Sequence, residues 1–242
     1  TLLDLCRFST NENDEILSLS SYLEKMPENQ KNIYYISAET RSQALASPHL
    51  EGFKSKNIPV LIMTDAIDQF WLPMIGSFKD KKFTSITQGQ INLDDLDEKN
   101  KDKKSENKDQ KEKQDKEFVD LIAQMKVVLG KQVKDIRLSS KLTDSPVCLV
   151  ADDGDMDIAM EQLMAQRDTN YKGAPRILEI NGDHSLIKNM KSLLSKKENN
   201  DLVSDAGTLL FEQARLLEGK MPEDPAQFSK IMNQFLLKAI PA

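Results

Sequence analysis

The chain has 242 residues, with 33 Lys and Arg against 39 Asp and Glu, a net charge of −6, and 39% hydrophobic and 30% charged residues. That length sets two domains as the starting expectation; the acidic balance supplies no basic stripe for nucleic acid, and no apolar stretch approaches the roughly 18 residues of a membrane span. Cys6 and Cys148 are too few and too far apart for a disulfide framework or a metal knuckle, and no Asn-x-Ser/Thr site occurs. The start, Thr1-Leu2-Leu3-Asp4, has neither Met nor a basic leader, which reads as a cut inside a longer, soluble, cytosolic protein.

In chain order, Ser21-x-x-Glu24 reads as a capping box for a helix around Tyr22–Met26. Ile33-Tyr34-Tyr35-Ile36 is aromatic and β-branched and predicts a strand. Ser47-Pro48 supplies an N-cap and a first-turn proline for a helix through about Lys56. Val60–Met63 is a continuous apolar run of the kind buried on both faces of a parallel sheet. A helix from Ala66 to about Ile75 and a short strand Phe83–Thr87 follow. Strand, helix and strand in this spacing predict a small layered α/β domain over residues 1–97. Phe70 and Trp71 point about 100° apart on their helix, so one small core does not easily hold both; which ring is exposed stays open.

From Asp97 to Glu117 there is no apolar residue, and eight Lys balance eight Asp and Glu. Such a run buries too little surface to offset its ordering entropy, so residues 98–116 read as a solvated connector. Disorder is expected near Asn100–Asn107, then helix from about Asp109, because Lys, Glu and Gln are good helix formers. Phe118, Leu121, Ile122, Met125, Val128 and Leu129 continue it at helical spacing, and Gly130 stands where a C-terminal cap belongs. Residues 117–242 predict an α+β domain: strands Val133–Leu138, Val147–Val150 and Arg176–Ile180, a helix Gly154–Gln166, and terminal helices His184–Ser195, Leu202–Leu217 and Pro225–Ala239.

Catalytic machinery is scarce. His49 and His184 stand away from any Cys or Ser nucleophile motif and read as structural hydrogen-bond donors, and no phosphate-cradling glycine loop occurs among only 9 glycines. The acidic cluster Asp152, Asp153, Asp155 and Asp157 is a candidate for a hard cation, and a metal-dependent enzyme is the rival reading it supports. An EF-hand loop starting at Asp153 fails, however, with Ile158 where Gly is needed and Met164 where Glu is needed. Capping of a helix N-terminus is the simpler role for these carboxylates, and no metal site is expected.

Apolar surface is the richer signal. Met156, Met160, Leu163 and Met164 form one helical stripe whose unbranched thioethers repack around varied partners, although such a face is more often the helix's own core side. Phe228, Ile231, Met232, Phe235, Leu236 and Ala239 repeat at helical spacing behind Asp224-Pro225 and Gln227, and the preceding helix offers Leu209, Leu210 and Leu217. A hairpin of two such helices must cover its apolar face on its own domain or on a second copy, and a twofold four-helix bundle is the economical solution. A purely structural dimerisation scaffold is the third reading.

Ile33-Tyr34-Tyr35-Ile36-Ser37-Ala38, Ser47-Pro48-His49-Leu50-Glu51 and Val60–Asp68 resemble the middle domain of the ninety-kilodalton heat-shock protein family. Val133–Ser139, Leu142–Pro146, Met156–Met164, Asn181-Gly182-Asp183-His184 and Phe228–Leu237 are similar to its C-terminal domain, and the chain looks closest to the bacterial branch. The resemblance implies a cytoplasmic, ATP-driven dimeric chaperone, with this chain covering the later middle domain and the C-terminal dimerisation domain. It implies client contacts at Phe70, Trp71, Met156, Met160, Leu163 and Met164. It implies a homodimer through Leu209, Leu210, Leu217, Phe228, Ile231, Met232, Phe235 and Leu236. Unfolded clients and bacterial co-chaperones would be partners; nucleic acid and membrane would not. ATP and Mg²⁺ would serve the whole protein, with no cofactor and no enzyme activity expected in this chain.

Overall fold

The computed structural model describes residues 2–27, 29–93, 104–168, 171, 173–195 and 199–240, of which 2 and 104–114 by backbone alone. Contacts divide the chain into two compact units. Unit 1 comprises Thr1–Lys104, Ser140–Thr143 and Val150–Ala174; unit 2 comprises Ser105–Ser139, Asp144–Leu149 and Pro175–Ala242. The expected boundary at the charged connector is therefore crossed by two later segments that join unit 1.

Unit 1 runs α1 (Leu2–Leu5), β1 (Ser9–Thr10), α2 (Leu19–Lys25), β2 (Asn32–Ser37), α3 (Arg41–Leu45), a 3-10 turn Pro48–Leu50 leading into α4 (Glu51–Ser55), β3 (Leu61–Met63), α5 (Asp68–Ile75), β4 (Ser77–Phe78) and β5 (Lys81–Ser85). The sheet order is β1-β3-β2-β5-β4. β2 lies parallel to both neighbours, with Tyr35 opposite Leu61 and Ile33 opposite Phe83. β1 and β4 are antiparallel edges. Alternation along the strands divides the core. Tyr34, Ile36, Val60 and Ile62 face one way, packing with Ala44, Leu50 and Phe53. Ile33, Tyr35, Leu61 and Met63 face the other, packing with Leu19, Tyr22 and Leu72. A strand sends successive side chains to opposite faces, so two apolar faces demand helices on both sides. A three-layer α/β arrangement results.

Some boundaries differ from expectation. Ser18, not Ser21, caps α2, accepting the Ser21 N–H at 3.1 Å. A Ser three residues ahead of another Ser leaves the cap ambiguous in sequence. Ser47 does cap as expected, its hydroxyl accepting the His49 N–H.

Unit 2 opens with α6 (Lys104–Leu129), which starts five residues before the expected Asp109; the expected disorder near Asn100–Asn107 falls partly on this helix and partly, for 100–103, outside the described residues. β6 (Val133–Leu138), β7 (Val147–Val150) and β8 (Arg176–Ile180) form a second sheet in the order β6-β8-β7, with β6 and β8 parallel. Between β7 and β8 the chain makes α7 (Ile158–Arg167), whose residues belong to unit 1. α8 (Ser185–Leu193), α9 (Asn200–Leu217) and α10 (Pro225–Ala239) complete unit 2. Its core joins Phe118, Leu121 and Met125 of α6 to Leu178 and Ile180 of β8 and Leu210 of α9. Arg137 reaches the buried Glu179 carboxylate at 2.8 Å through Nη2, and Ser139 Oγ donates to its other oxygen at 2.9 Å. That pairing lets a charge sit inside the sheet without an unmet partner.

Candidate functional site

Asp157 builds the front of α7. One carboxylate oxygen accepts the Ala159 N–H at 2.9 Å, capping the helix. The other accepts Ser85 Oγ at 2.5 Å and Thr87 Oγ1 at 2.8 Å, at the carboxyl end of β5. Gln88 Nε2 adds a bond to the Asp155 carbonyl at 2.7 Å. Burial pushes the Tyr35 phenol up, the Asp157 charge pushes it further, and a Ser85 hydrogen bond pulls it partly back. Asp157 is thereby spent on positioning a helix. Among the described residues no group of three or more His, Cys, Asp and Glu stands close enough to hold a metal ion, so nothing supports the metal-enzyme reading.

The Met-rich stripe differs from its expected form. The helix begins at Ile158 rather than Gly154, because Asp157 takes the cap, so Met156 precedes it and is 39% exposed. Ile158 and Glu161 make the buried side of α7, with Glu161 accepting the Ala174 N–H at 3.1 Å. Met160, Leu163 and Met164 are half-buried on the flanks. Leu163 shares a face with Ala159, Gln162 and Gln166, while Met160 and Met164 lie on the next. Met156 lies outside the helix, and the stripe is not sealed inside unit 1.

Residues Ala159 and Leu163 help line a cavity of 280 Å³ with Ala38 and Met63, at the carboxyl ends of the adjacent parallel strands β2 and β3, where open α/β sheets commonly take ligands. Glu39 and Asp65 also line it, and among the described residues its lining includes no Lys, Arg or His. A nucleoside triphosphate does not fit there: two carboxylates repel the phosphates and no basic group offsets their charge.

On α5 the two aromatic rings separate cleanly. Trp71 packs into unit 1, its centroid 6.1 Å from Phe8 and 5.7 Å from Phe83, while its Nε1 donates to Asp68 Oδ1 at 2.7 Å. Phe70 is the exposed ring, aligned with exposed Ile67 and with Met74, which is 85% exposed. Met74 lay outside the expected contacts, although its i, i+3, i+7 spacing with Ile67 and Phe70 is present in the sequence.

The eight residues expected to pair two copies do not share one environment. Leu210 and Ile231 are buried within the subunit; Leu209, Phe228 and Phe235 are half-buried; Leu217, Met232 and Leu236 are exposed. Asp224 caps α10, its Oδ1 accepting the N–H groups of Ala226 and Gln227. Beyond the expected set, Leu216, Leu237 and Ile240 are also exposed. His184 caps α8 through Nδ1, which accepts the Leu186 N–H at 3.1 Å, so its structural role is that of an acceptor rather than the expected donor. Among the described residues no helix is long and apolar enough to cross a membrane.

Residues 1–241 match the family described as Hsp90 protein. The chain is similar to chaperone protein HtpG of Roseobacter denitrificans, 39% identical over 241 residues, which is 99% of this chain and 38% of that protein. It is also similar to chaperone protein HtpG of Wolbachia pipientis wMel, 37% identical over 98% of this chain and 37% of that protein. A third relative, chaperone protein HtpG of Mycobacterium avium, is 37% identical over 99% of this chain and 36% of its own length. The chain thus spans less than two fifths of the length of these relatives. The family match over residues 1–241 of this chain corrects one expectation: that the chain is no enzyme does not stand.

Proposed function

The chain belongs to the Hsp90 family of heat-shock chaperones, and from that membership we propose that it binds non-native client proteins and pairs with a second copy of itself. In this reading it corresponds to the later middle domain and the C-terminal dimerisation domain of a bacterial, cytoplasmic chaperone of the HtpG type. ATP and Mg²⁺ drive the whole protein, and bacterial co-chaperones are further partners.

The observation that carries the client reading is the uncovered apolar surface of unit 1. Phe70 and Met156 are exposed and Met160, Leu163 and Met164 are only half-buried, although α7 has a buried side of its own. Apolar groups of this kind grip partly folded chains weakly and repack from one client to the next, methionine above all because its side chain is unbranched and polarizable. Trp71, next to Phe70 in the chain, packs against Phe8 and Phe83. In a dimer two such surfaces act on one client, which raises effective concentration without any new contact.

Replacing Met156, Met160, Leu163 and Met164 by Ser should weaken capture of a permanently unfolded, fluorescently labelled protein about tenfold in an anisotropy titration, with the circular dichroism unchanged. Unchanged capture by that folded variant would remove α7 from the client surface.

A further inference from the structure

The lining of the cavity of unit 1 bears on the choice of client segment, a step that rests on the client-binding reading above. At 280 Å³ it lies below the roughly 300–1,000 Å³ of sites for drug-sized molecules and has the scale of one or two amino-acid side chains. Ala38, Met63, Ala159 and Leu163 give it apolar walls. Gln69 and Gln162, also in its lining, carry amides of the kind that hydrogen-bond an extended backbone.

Charge decides the rest. Glu39 and Asp65 are both exposed, and among the described residues neither has an ion-pair partner; Gln166 Nε2 comes only to 3.5 Å from Glu39 Oε1. With two carboxylates and no cationic side chain in the lining, the cavity favours a cation beside whatever enters it and repels an anion. We infer that the cavity takes one bulky aliphatic side chain of an extended client segment, and that Glu39 and Asp65 select segments in which Lys or Arg stands next to that side chain.

Three fluorescein-labelled peptides of equal length test this, each with a central Leu flanked on both sides by Lys, by Ser or by Glu, titrated against the full chain. The expected order of affinity is Lys, then Ser, then Glu, with about three- to tenfold between the extremes, the scale of solvent-exposed ion pairs. The spread should collapse in about 0.5 M salt, where screening is strong. It should also collapse in the Glu39→Gln, Asp65→Asn double variant. Ala159→Trp, which fills the cavity, should lower binding of all three peptides while the circular dichroism holds.

Equal binding of the three peptides, or a spread that survives the double variant, overturns the charge selection and leaves client binding standing. Undiminished binding by folded Ala159→Trp shows that the segment docks elsewhere and overturns the assignment to this cavity. If the chain binds none of the three, the selection and the client reading of this face fall together.

Discussion

Asp68 shows how a single burial sets the behaviour of a surface helix. Its carboxylate is buried at the start of α5, where it accepts the Trp71 indole N–H at 2.7 Å. Burial raises its pKa above the usual carboxylate range, while the Trp71 and backbone hydrogen bonds pull it partly back and the neighbouring Asp65 charge adds a little upward push. A carboxyl whose pKa is higher in the fold than in the unfolded chain favours folding when protonated. Its contribution is complete below the unfolded value, about 4, and is lost as pH rises through the folded value. Asparagine keeps an oxygen for Trp71 and does not titrate. Asp68→Asn should therefore unfold at a higher temperature than the parent chain at pH 7, with the advantage fading as pH falls towards about 3.5. Trp71 fluorescence during heating reads this directly, and an advantage of constant size across pH would exclude the carboxyl as its source.

At the scale of elements, legibility in the sequence followed how strongly each signal was local. β6, β7 and β8 and helix α10 have the predicted ends, because Val, Ile and Leu runs flanked by polar residues, and the Asp224-Pro225 cap, specify them without help from elsewhere. The two-residue strands β1 and β4 left no readable run: β1 exists by pairing with the distant β3, and β4 is too short to show a pattern although it forms a tight hairpin with β5. For α7 the misread start at Gly154 came from choosing among four aspartates. Only the hydroxyls of Ser85 and Thr87, some seventy residues earlier, single out Asp157. The candidate site was half legible for the same reason: periodicity found the Met residues and α10, but which flank is covered depends on tertiary partners such as Glu161. In α10 that distinction yields a test. Ile231 is buried, whereas Met232 and Leu236, one turn apart, are exposed. Met232→Glu combined with Leu236→Glu should weaken self-association about a hundredfold or more in sedimentation velocity, with helicity retained. Ile231→Asp should instead destabilise the subunit itself by about 3 kcal/mol or more, since it buries an unpaired charge. A double variant that still sediments as a dimer would remove α10 from the interface.

For the whole molecule, sequence order and compact units part company. Ser140 Oγ donates to the Ile91 carbonyl at 2.8 Å, the buried Lys141 Nζ to the Ile86 carbonyl at 3.0 Å, and the Thr143 N–H to the Glu51 carboxylate at 2.8 Å, so chain that follows α6 completes unit 1. Gly52 sits at that seam: a Cβ there would stand 2.6 Å from the Lys141 carbonyl oxygen and 2.7 Å from Leu93 Cδ1. Backbone cannot yield as a side-chain end does, so Gly52→Ala should cost about 1–3 kcal/mol in unit 1. Gly207, in α9 of unit 2, is the counterpart. A Cβ there meets Met125, Cγ at an ordinary 3.5 Å and Cε at 3.8 Å, so Gly207→Ala should stabilise its helix by up to about 1 kcal/mol. The chain has one tryptophan, Trp71, which lies in unit 1, whereas helices of both units contribute to circular dichroism. In urea, Gly52→Ala should lower the fluorescence midpoint, and Gly207→Ala should leave that midpoint in place while moving the dichroism midpoint upward. Should both substitutions shift both signals together, the two units unfold as one block, and Trp71 reports the stability of the entire chain.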